Sequence, residues 1–314
     1  MSNYLDELKD LGIGLTEILL PADGVGLDKW PVVACDQFTS EPEYWQEVSD
    51  TVGDSPSTLH LILPEAYLGD DSTAGRISQI HETMDNYLES GVLMPAQEGA
   101  YIIVRHLPDK PTRTGLMIKI DLDSYDYTAH SVSPIRPTEG TIVERIPARK
   151  RIRTGAPVEV PHVMVLLDDP GKTVIEPLAQ AALSTEPVYE IPLMKNGGAV
   201  AAYRITSPDL LSQMVKAFGN LADKEAFSRR YDSENPFYIA IGDGNHSLAA
   251  AKAYWEDLKS SLSDTELNNH PARYAMVEAV NIYDDGITFE PIHRLFFNID
   301  SGKLLEHFMG NGTY

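Results

Sequence analysis

Hydrophobic positions along the chain follow two periods, and the switches between them outline the elements. In "STAGRISQIHETMDNYLESG" (Ser72–Gly91), Ile77, Ile80, Met84 and Leu88 recur three to four residues apart and Gly91 follows the last of them, which predicts a helix. "SPDLLSQMVKAFG" predicts another, with Ser207 as N-cap and Pro208 at the first helical position. "TVIEPLAQAAL" and "HSLAAAKAYWEDLKS" read as helices, and the tail "SGKLLEHFMGNGTY" starts as one over Lys303–Phe308. Apolar or alternating runs predict strands at "TLHLILP" (Thr58–Pro64), "AYIIVRHL", "GLMIKIDL", "HVMVLLDD" (His162–Asp169), "PFYIAIGDG" and "ARYAMVEAVNIY". "WPVVACD" reads as an apolar strand ending at Asp36, and "FEPIHRLFFNI" as a last extended segment. "PVYEIPLM" and "GAVAAYRIT" flank "KNGG", and Asn-Gly between two apolar runs is a hairpin signal.

This mixture predicts an α/β or α+β fold on a mixed sheet. A stretch rich in Asp, Ser and Pro near Asp121–Pro137 suggests an N-terminal α/β part (1–130) and a C-terminal part (131–314), with one continuous domain as the alternative.

Composition narrows the function. The 314 residues are 43% hydrophobic and 23% charged, and no apolar run reaches the ~18 residues of a membrane span. The polar, acidic start "MSNYLDELKD" does not read as a signal peptide, and the single cysteine, Cys35, makes a reducing cytoplasm the simplest compartment. A net charge of −22 argues against nucleic acid as a partner, because a basic footprint supplies most of that affinity. Against this acidic background, Arg136–Arg153 ("RPTEGTIVERIPARKRIR") holds six of the 25 basic residues and only two acids. It is either a solvated basic face or an anion site, and arginine favours the second through bidentate pairing with phosphate or carboxylate.

The candidate chemistry centres on "YIAIGDGNHSLAAAKAYWE", where an apolar strand meets a helix through Gly242-Asp243-Gly244-Asn245-His246-Ser247. A helix N-terminus offers unpaired N–H groups and the positive end of a dipole, and glycines allow close approach of an anion. Asn245 and His246 can donate to phosphate oxygens. Asp243 cannot, and a carboxylate beside phosphate suggests a bound Mg²⁺ or a base for a hydroxyl proton. A turn at Asp243-Gly244 with Asn245 or Ser247 capping the helix explains the same residues structurally.

The segment resembles the Asp-Gly-His-His-Arg signature of the family catalogued as domain of unknown function 1015, with Asn245 and Ser247 standing in place of the first His and the Arg. "VVACDQF", with Asp36, is similar to that family's N-terminal acidic segment. "IRPTEGTIVERIPARKRIR" is similar to its His-Glu-Arg-Thr segment through Glu139, Thr141 and Arg151 or a neighbour, with Thr138 at the His. "FEPIHRLFF" is similar to its Pro-Thr-His-Arg-Leu segment through His293 and Arg294. The resemblance implies a phosphotransferase on a ParB/sulfiredoxin-like phosphate-binding core, related to pyrophosphate-dependent kinases of free L-serine. It implies that Glu139 or Asp243 takes the serine hydroxyl proton, that His246 binds or protonates the phosphoryl group, and that Asp36 is an active-site acid. Arg149, Arg151 and Arg153 would clamp phosphates together with Gly242, Gly244, Asn245, Ser247, Thr141, His293 and Arg294, and Asp243 would hold Mg²⁺. The expected partners are a small phosphoryl donor and an amino-acid acceptor, not a membrane; self-association as a homodimer is left open. The competing expectation is a non-catalytic module that senses a phosphorylated ligand.

Overall fold

A computed structural model describes residues 3–288 and 296–311. The strands are β1 (Ile13–Gly14), β2 (Thr16–Pro21), β3 (Leu93–His106), β4 (Arg113–Asp121), β5 (Ile135–Pro137), β6 (Met164–Leu167), β7 (Tyr189–Pro192), β8 (Ala199–Ile205), β9 (Ile239–Asp243) and β10 (Tyr274–Asn281). The helices are α1 (Asn3–Asp10), α2 (Pro42–Val52), α3 (Thr73–Glu89), α4 (Ile146–Arg153), α5 (Ile175–Ala182), α6 (Pro208–Leu221), α7 (Lys224–Tyr231), α8 (Asn245–Lys259), α9 (Asp264–Asn269) and α10 (Ser301–Asn311).

The strands form one ten-stranded mixed sheet in the order β5-β9-β6-β10-β4-β3-β8-β7, with β1 added to β4 and β2 to β3. Two pairings, β5 with β9 and β6 with β10, are parallel; the rest are antiparallel. Strands from both sides of residue 130 share this sheet. The main core lies between the sheet and α5, α6 and α8, with Phe218 and Trp255 fully buried. A second cluster gathers Trp30, Leu61, Leu63, Ile80, Met84 and Leu93, packing α3 over the N-terminal segment.

Most of the periodic segments fold as their spacing predicts. The helix over Ser72–Gly91 is α3, and Ser207 caps α6 by accepting the Leu210 N–H. The "KNGG" turn joins β7 to β8, and the tail helix runs to Asn311. Two strand expectations fail. Thr58–Leu61 is a 3₁₀ turn, because the Ser57 hydroxyl accepts the Leu59 N–H and both Ser57 and Thr58 donate their hydroxyls to the Trp30 carbonyl. Such local side-chain bonds offer the backbone an alternative to a ladder. "WPVVACD" is irregular as well: Val32 N–H turns to the Thr58 hydroxyl, and the Cys35 carbonyl accepts the Glu65 N–H. The segment expected to be extended around "PIHRL" lies at 289–295, outside the described residues.

The alanine run of α8 has a packing reason. Leu248, Ala251 and Trp255 join the main core, while Ala249 and Ala250 bury against Ile146 of α4. Small side chains on two faces let α8 sit between the sheet and the basic helix. That sandwich sets α4 beside the N-terminus of α8.

Candidate functional site

Strand β9 does not run straight into α8. Its pairing with β6 slips: Val165 faces Ile241 and Met164 faces Asp243, so Gly242 is an extra residue. Bulges of this kind re-aim the side chain that follows. A Cβ on Gly242 would meet the Leu166 side chain at 2.8 Å. Gly244 then takes φ +75°, and a Cβ there would stand 3.0 Å from the Val163 Cα. Both glycines are therefore needed where they stand.

Gly244 is the N-cap of α8 and supplies no side-chain cap. Asp243 Oδ1 accepts the Gly244 N–H at 2.8 Å. Ser247 and Leu248 direct their N–H groups to the Gly244 carbonyl. The N–H groups of Asn245 and His246 have no acceptor among the described residues. Both residues line a cavity of about 180 Å³, together with the rest of the 241–247 turn, Asp36, Glu65, Thr138, Glu139, Arg145, Arg149 and His162.

The predicted site residues divide into three groups. Asp36, Glu139, Arg149, Gly242, Asp243, Gly244, Asn245, His246 and Ser247 all line this cavity. The Asn245 side chain, though, is buried and turned inward: it accepts from Thr141 Oγ1 at 3.4 Å and Tyr125 Oη at 3.5 Å, and donates to the Glu139 carbonyl at 3.4 Å. It anchors the 139–141 segment, and Thr141 serves the same contact, so the Asn245 amide is already engaged and only its backbone N–H is left for a ligand. Arg151 and Arg153 do not line it. On α4, residue 151 stands about 200° around the axis from 149, and Arg153 is engaged by Glu159 at 2.5 Å and the Tyr274 carbonyl at 3.1 Å. His293 and Arg294 lie outside the described residues.

Three cavity residues carried no signal that singled them out. Arg145 was one of six bases in a run. Glu65 followed a segment read as a strand, and His162 opened another. Arg149 forms a bidentate pair with Glu65, whereas Arg145 has no side-chain partner among the described residues. His162 Nε2 lies 3.0 Å from Ser247 Oγ and 3.8 Å from Asp36 Oδ2, and its Nδ1 lies 3.6 Å from Cys35 Sγ.

The electrostatics follow from burial and crowding. Desolvation raises the Asp36 carboxyl above its ordinary range; His162 opposes this and Asp243 adds to it. Burial, then the charges of Asp36 and Glu65, push the Cys35 thiol up to about 12, so it stays protonated. His246 is lowered by burial and then by Arg149 and Arg145, and its neutral Nε2 accepts the Ile142 N–H at 3.2 Å. Four carboxylates (Asp36, Glu65, Glu139, Asp243) thus face two guanidinium groups in one small space. An anionic ligand entering there needs a counter-cation.

The donor set defines how Mg²⁺ would sit. Among the described residues, no group of three or more His, Cys, Asp or Glu is gathered to hold a metal. Magnesium is commonly held by one or two carboxylates plus substrate phosphates. The free oxygen of Asp243 suits that arrangement, in which the ion arrives with its ligand.

A second cavity, of about 700 Å³, shares Thr138 and Glu139 with the first and is lined by Tyr127, Pro137, Val143 and Phe237. The Arg136 guanidinium stacks 4.4 Å from the Phe237 ring centroid and is held by the carbonyls of Ser131 and Asn235.

With this geometry in place, comparison with known families is decisive on one point. Residues 19–311 match the family described as "Protein of unknown function (DUF1015)". The chain belongs to that family. The match runs from within β2 to the end of α10 and takes in every residue that lines the cavity. Searches of curated proteins and of solved structures gave no match. The description of DUF1015 carries no activity, which leaves the chemistry to the site. No helix among the described residues is long and apolar enough to cross a membrane.

Proposed function

We propose that this DUF1015 protein is a small-molecule kinase that transfers a phosphoryl group to the hydroxyl of free L-serine or a similar metabolite. The observation that carries the reading is the bulged β9–α8 junction. There, two helix-terminal N–H groups with no acceptor among the described residues, the carboxylate of Asp243 and the guanidinium of Arg145 belong to residues that line one cavity of about 180 Å³. Donors at a helix N-terminus suit phosphate, and phosphoryl transfer asks mainly for positioning and charge neutralisation. The resemblance to pyrophosphate-dependent serine kinases, and through them to a ParB/sulfiredoxin-like core, supports the same reading.

In this scheme the donor phosphates rest on the Asn245 and His246 N–H groups, with Arg145 alongside. Asp243 would hold a Mg²⁺ arriving with those phosphates, and the bound ion would supply charge neutralisation. The acceptor hydroxyl approaches from the side of Glu139, which is exposed, lines both cavities and has no side-chain partner among the described residues. Its proton passes to Glu139 or Asp243 as the new P–O bond forms. The bridging P–O bond of the donor breaks, and the departing phosphate keeps the electron pair. Neutral His246 hydrogen-bonds the transferred group.

The donor has two readings. The small polar cavity suits pyrophosphate, whereas the apolar cavity next to it, with the Phe237 face, would take the base of a nucleotide. A donor-by-acceptor screen read by mass spectrometry tests both. Pyrophosphate, ADP and ATP are each offered with Mg²⁺ and L-serine, L-threonine or homoserine. Formation of a phosphorylated amino acid with any donor is the expected result. Tight calorimetric binding of phosphate-bearing ligands without turnover would instead favour the sensing module.

A further inference from the structure

We propose that Ser247 carries the phosphoryl group transiently, with His162 as its base and Asp36 holding the imidazolium that results. This rests on the kinase reading of the same cavity and adds a covalent phosphoserine step to it.

Three observations converge. Ser247 sits in the first turn of α8 but does no capping: Gly244 is the N-cap, and no side chain caps the helix. The hydroxyl's partner is instead His162 Nε2, 3.0 Å away and 85 residues distant in sequence. Second, Cys35 Sγ lies 3.6 Å from Nδ1 of the same ring. In the tautomer this step requires, Nδ1 carries the proton and faces the sulfur, and the Nε2 lone pair accepts the Ser247 O–H. Third, Asp36 Oδ2 lies 3.8 Å from that same Nε2. A proton arriving on Nε2 meets a carboxylate, so the charged ring is stabilised once the hydroxyl has given up its proton. A nucleophile beside a base that is oriented by a third group is the general arrangement for covalent catalysis. Asp36, His162 and Ser247 all line the cavity that holds the free N–H groups.

The step balances. Ser247 Oγ attacks the terminal phosphorus of a phosphoanhydride and its proton moves to His162 Nε2. The P–Oγ bond forms, the bridging P–O bond breaks, and the leaving phosphate takes the electron pair. In the second step the acceptor hydroxyl attacks the phosphoserine and gives its proton to Glu139 or Asp243. Ser247 Oγ leaves with the bond's electrons and recovers its proton from His162.

The test uses the full chain with Mg²⁺ and labelled pyrophosphate or ATP, first without an acceptor. Intact-protein mass spectrometry should show one added phosphoryl group, and fragmentation should place it on Ser247. Ser247→Ala should take no label. His162→Asn should label on the order of 100-fold more slowly, with circular dichroism and melting curve unchanged in both. A chase with L-serine should discharge the label into phosphoserine. If serine is phosphorylated while the protein stays unlabelled, or if Ser247→Ala turns over like the wild type, the covalent step is wrong and the kinase reading stands. Label on Ser247 that no amino-acid acceptor removes would uphold the phosphoserine and overturn the kinase. Neither label nor turnover with either donor would overturn both.

Discussion

Arg149 grips Glu65 with two parallel hydrogen bonds, Nε to Oε1 at 2.8 Å and Nη2 to Oε2 at 2.5 Å, across 84 residues of sequence. Both side chains are largely buried, at 14% and 16% exposure. Glu65 also gives its backbone N–H to the Cys35 carbonyl. The pair therefore ties the irregular segment that carries Asp36 to the basic helix α4. It closes one wall of the cavity, and it is why only part of the basic run is available to a ligand.

Glu65→Gln should cost roughly 3 kcal/mol of stability, because it strands a buried guanidinium. A urea melt reads this directly. The double variant Glu65→Leu/Arg149→Met should recover most of the loss, since well-packed apolar replacements of a buried pair are often neutral.

Gly244→Ala should destabilise by about 2 kcal/mol. About half is the left-handed backbone at φ +75°, and the rest is the 3.0 Å approach of the new Cβ to the Val163 backbone. Gly75, inside α3 with nothing within 4 Å of its Cβ position, is the control: Gly75→Ala should stabilise by about 0.5–1 kcal/mol. Thermal melts of the two variants should move in opposite directions.

Asp36→Asn should raise the melting temperature at neutral pH. Burial and Asp243 raise the folded-state pKa of Asp36 above its unfolded value. A group raised in this way contributes most below its unfolded pKa, near 3.9, and that contribution is lost as pH climbs through the folded pKa. At pH 7 the ionised carboxylate works against the fold, and asparagine removes that penalty. The two proteins should converge in stability below about pH 3.9. Melting curves across pH check the crossover, and phosphoryl transfer by the variant should fall even as its stability rises.

Asp243→Asn should leave the fold intact, because the amide oxygen can still accept the Gly244 N–H. Turnover should drop on the order of 100-fold or more, as expected when a base or metal-holding carboxylate is lost. Raising Mg²⁺ should restore little of it if the carboxylate acts as the base, and much of it if the carboxylate acts by holding the ion.

Much of the scaffold was legible because its signals are local. The spacing of Ile77, Ile80, Met84 and Leu88 produces α3 whatever surrounds it, and Ser207 followed by Pro208 starts α6 through bonds within one turn. The two glycines before α8 likewise announced a backbone that side chains would obstruct, and the family resemblance rests on the same short motifs. Where local pattern failed, a different local bond had intervened. The Ser57 and Thr58 hydroxyls drew "TLHLILP" out of a strand, and the Trp30 carbonyl and Val32 N–H turned to those hydroxyls rather than to a ladder.

The sequence by itself determined that a strand–glycine–helix junction exists and that an arginine-rich run accompanies it. Which residues meet there was decided only by tertiary structure. Helical phase turned Arg149 into the cavity and Arg151 away, and Asn245 was buried as an anchor. His162 and Ser247 became neighbours across 85 residues, and Glu65 was drawn in by Arg149. The physical reason is range: periodicity, caps and turns are settled within a few residues, whereas a cavity is made by chain crossings that no local pattern encodes.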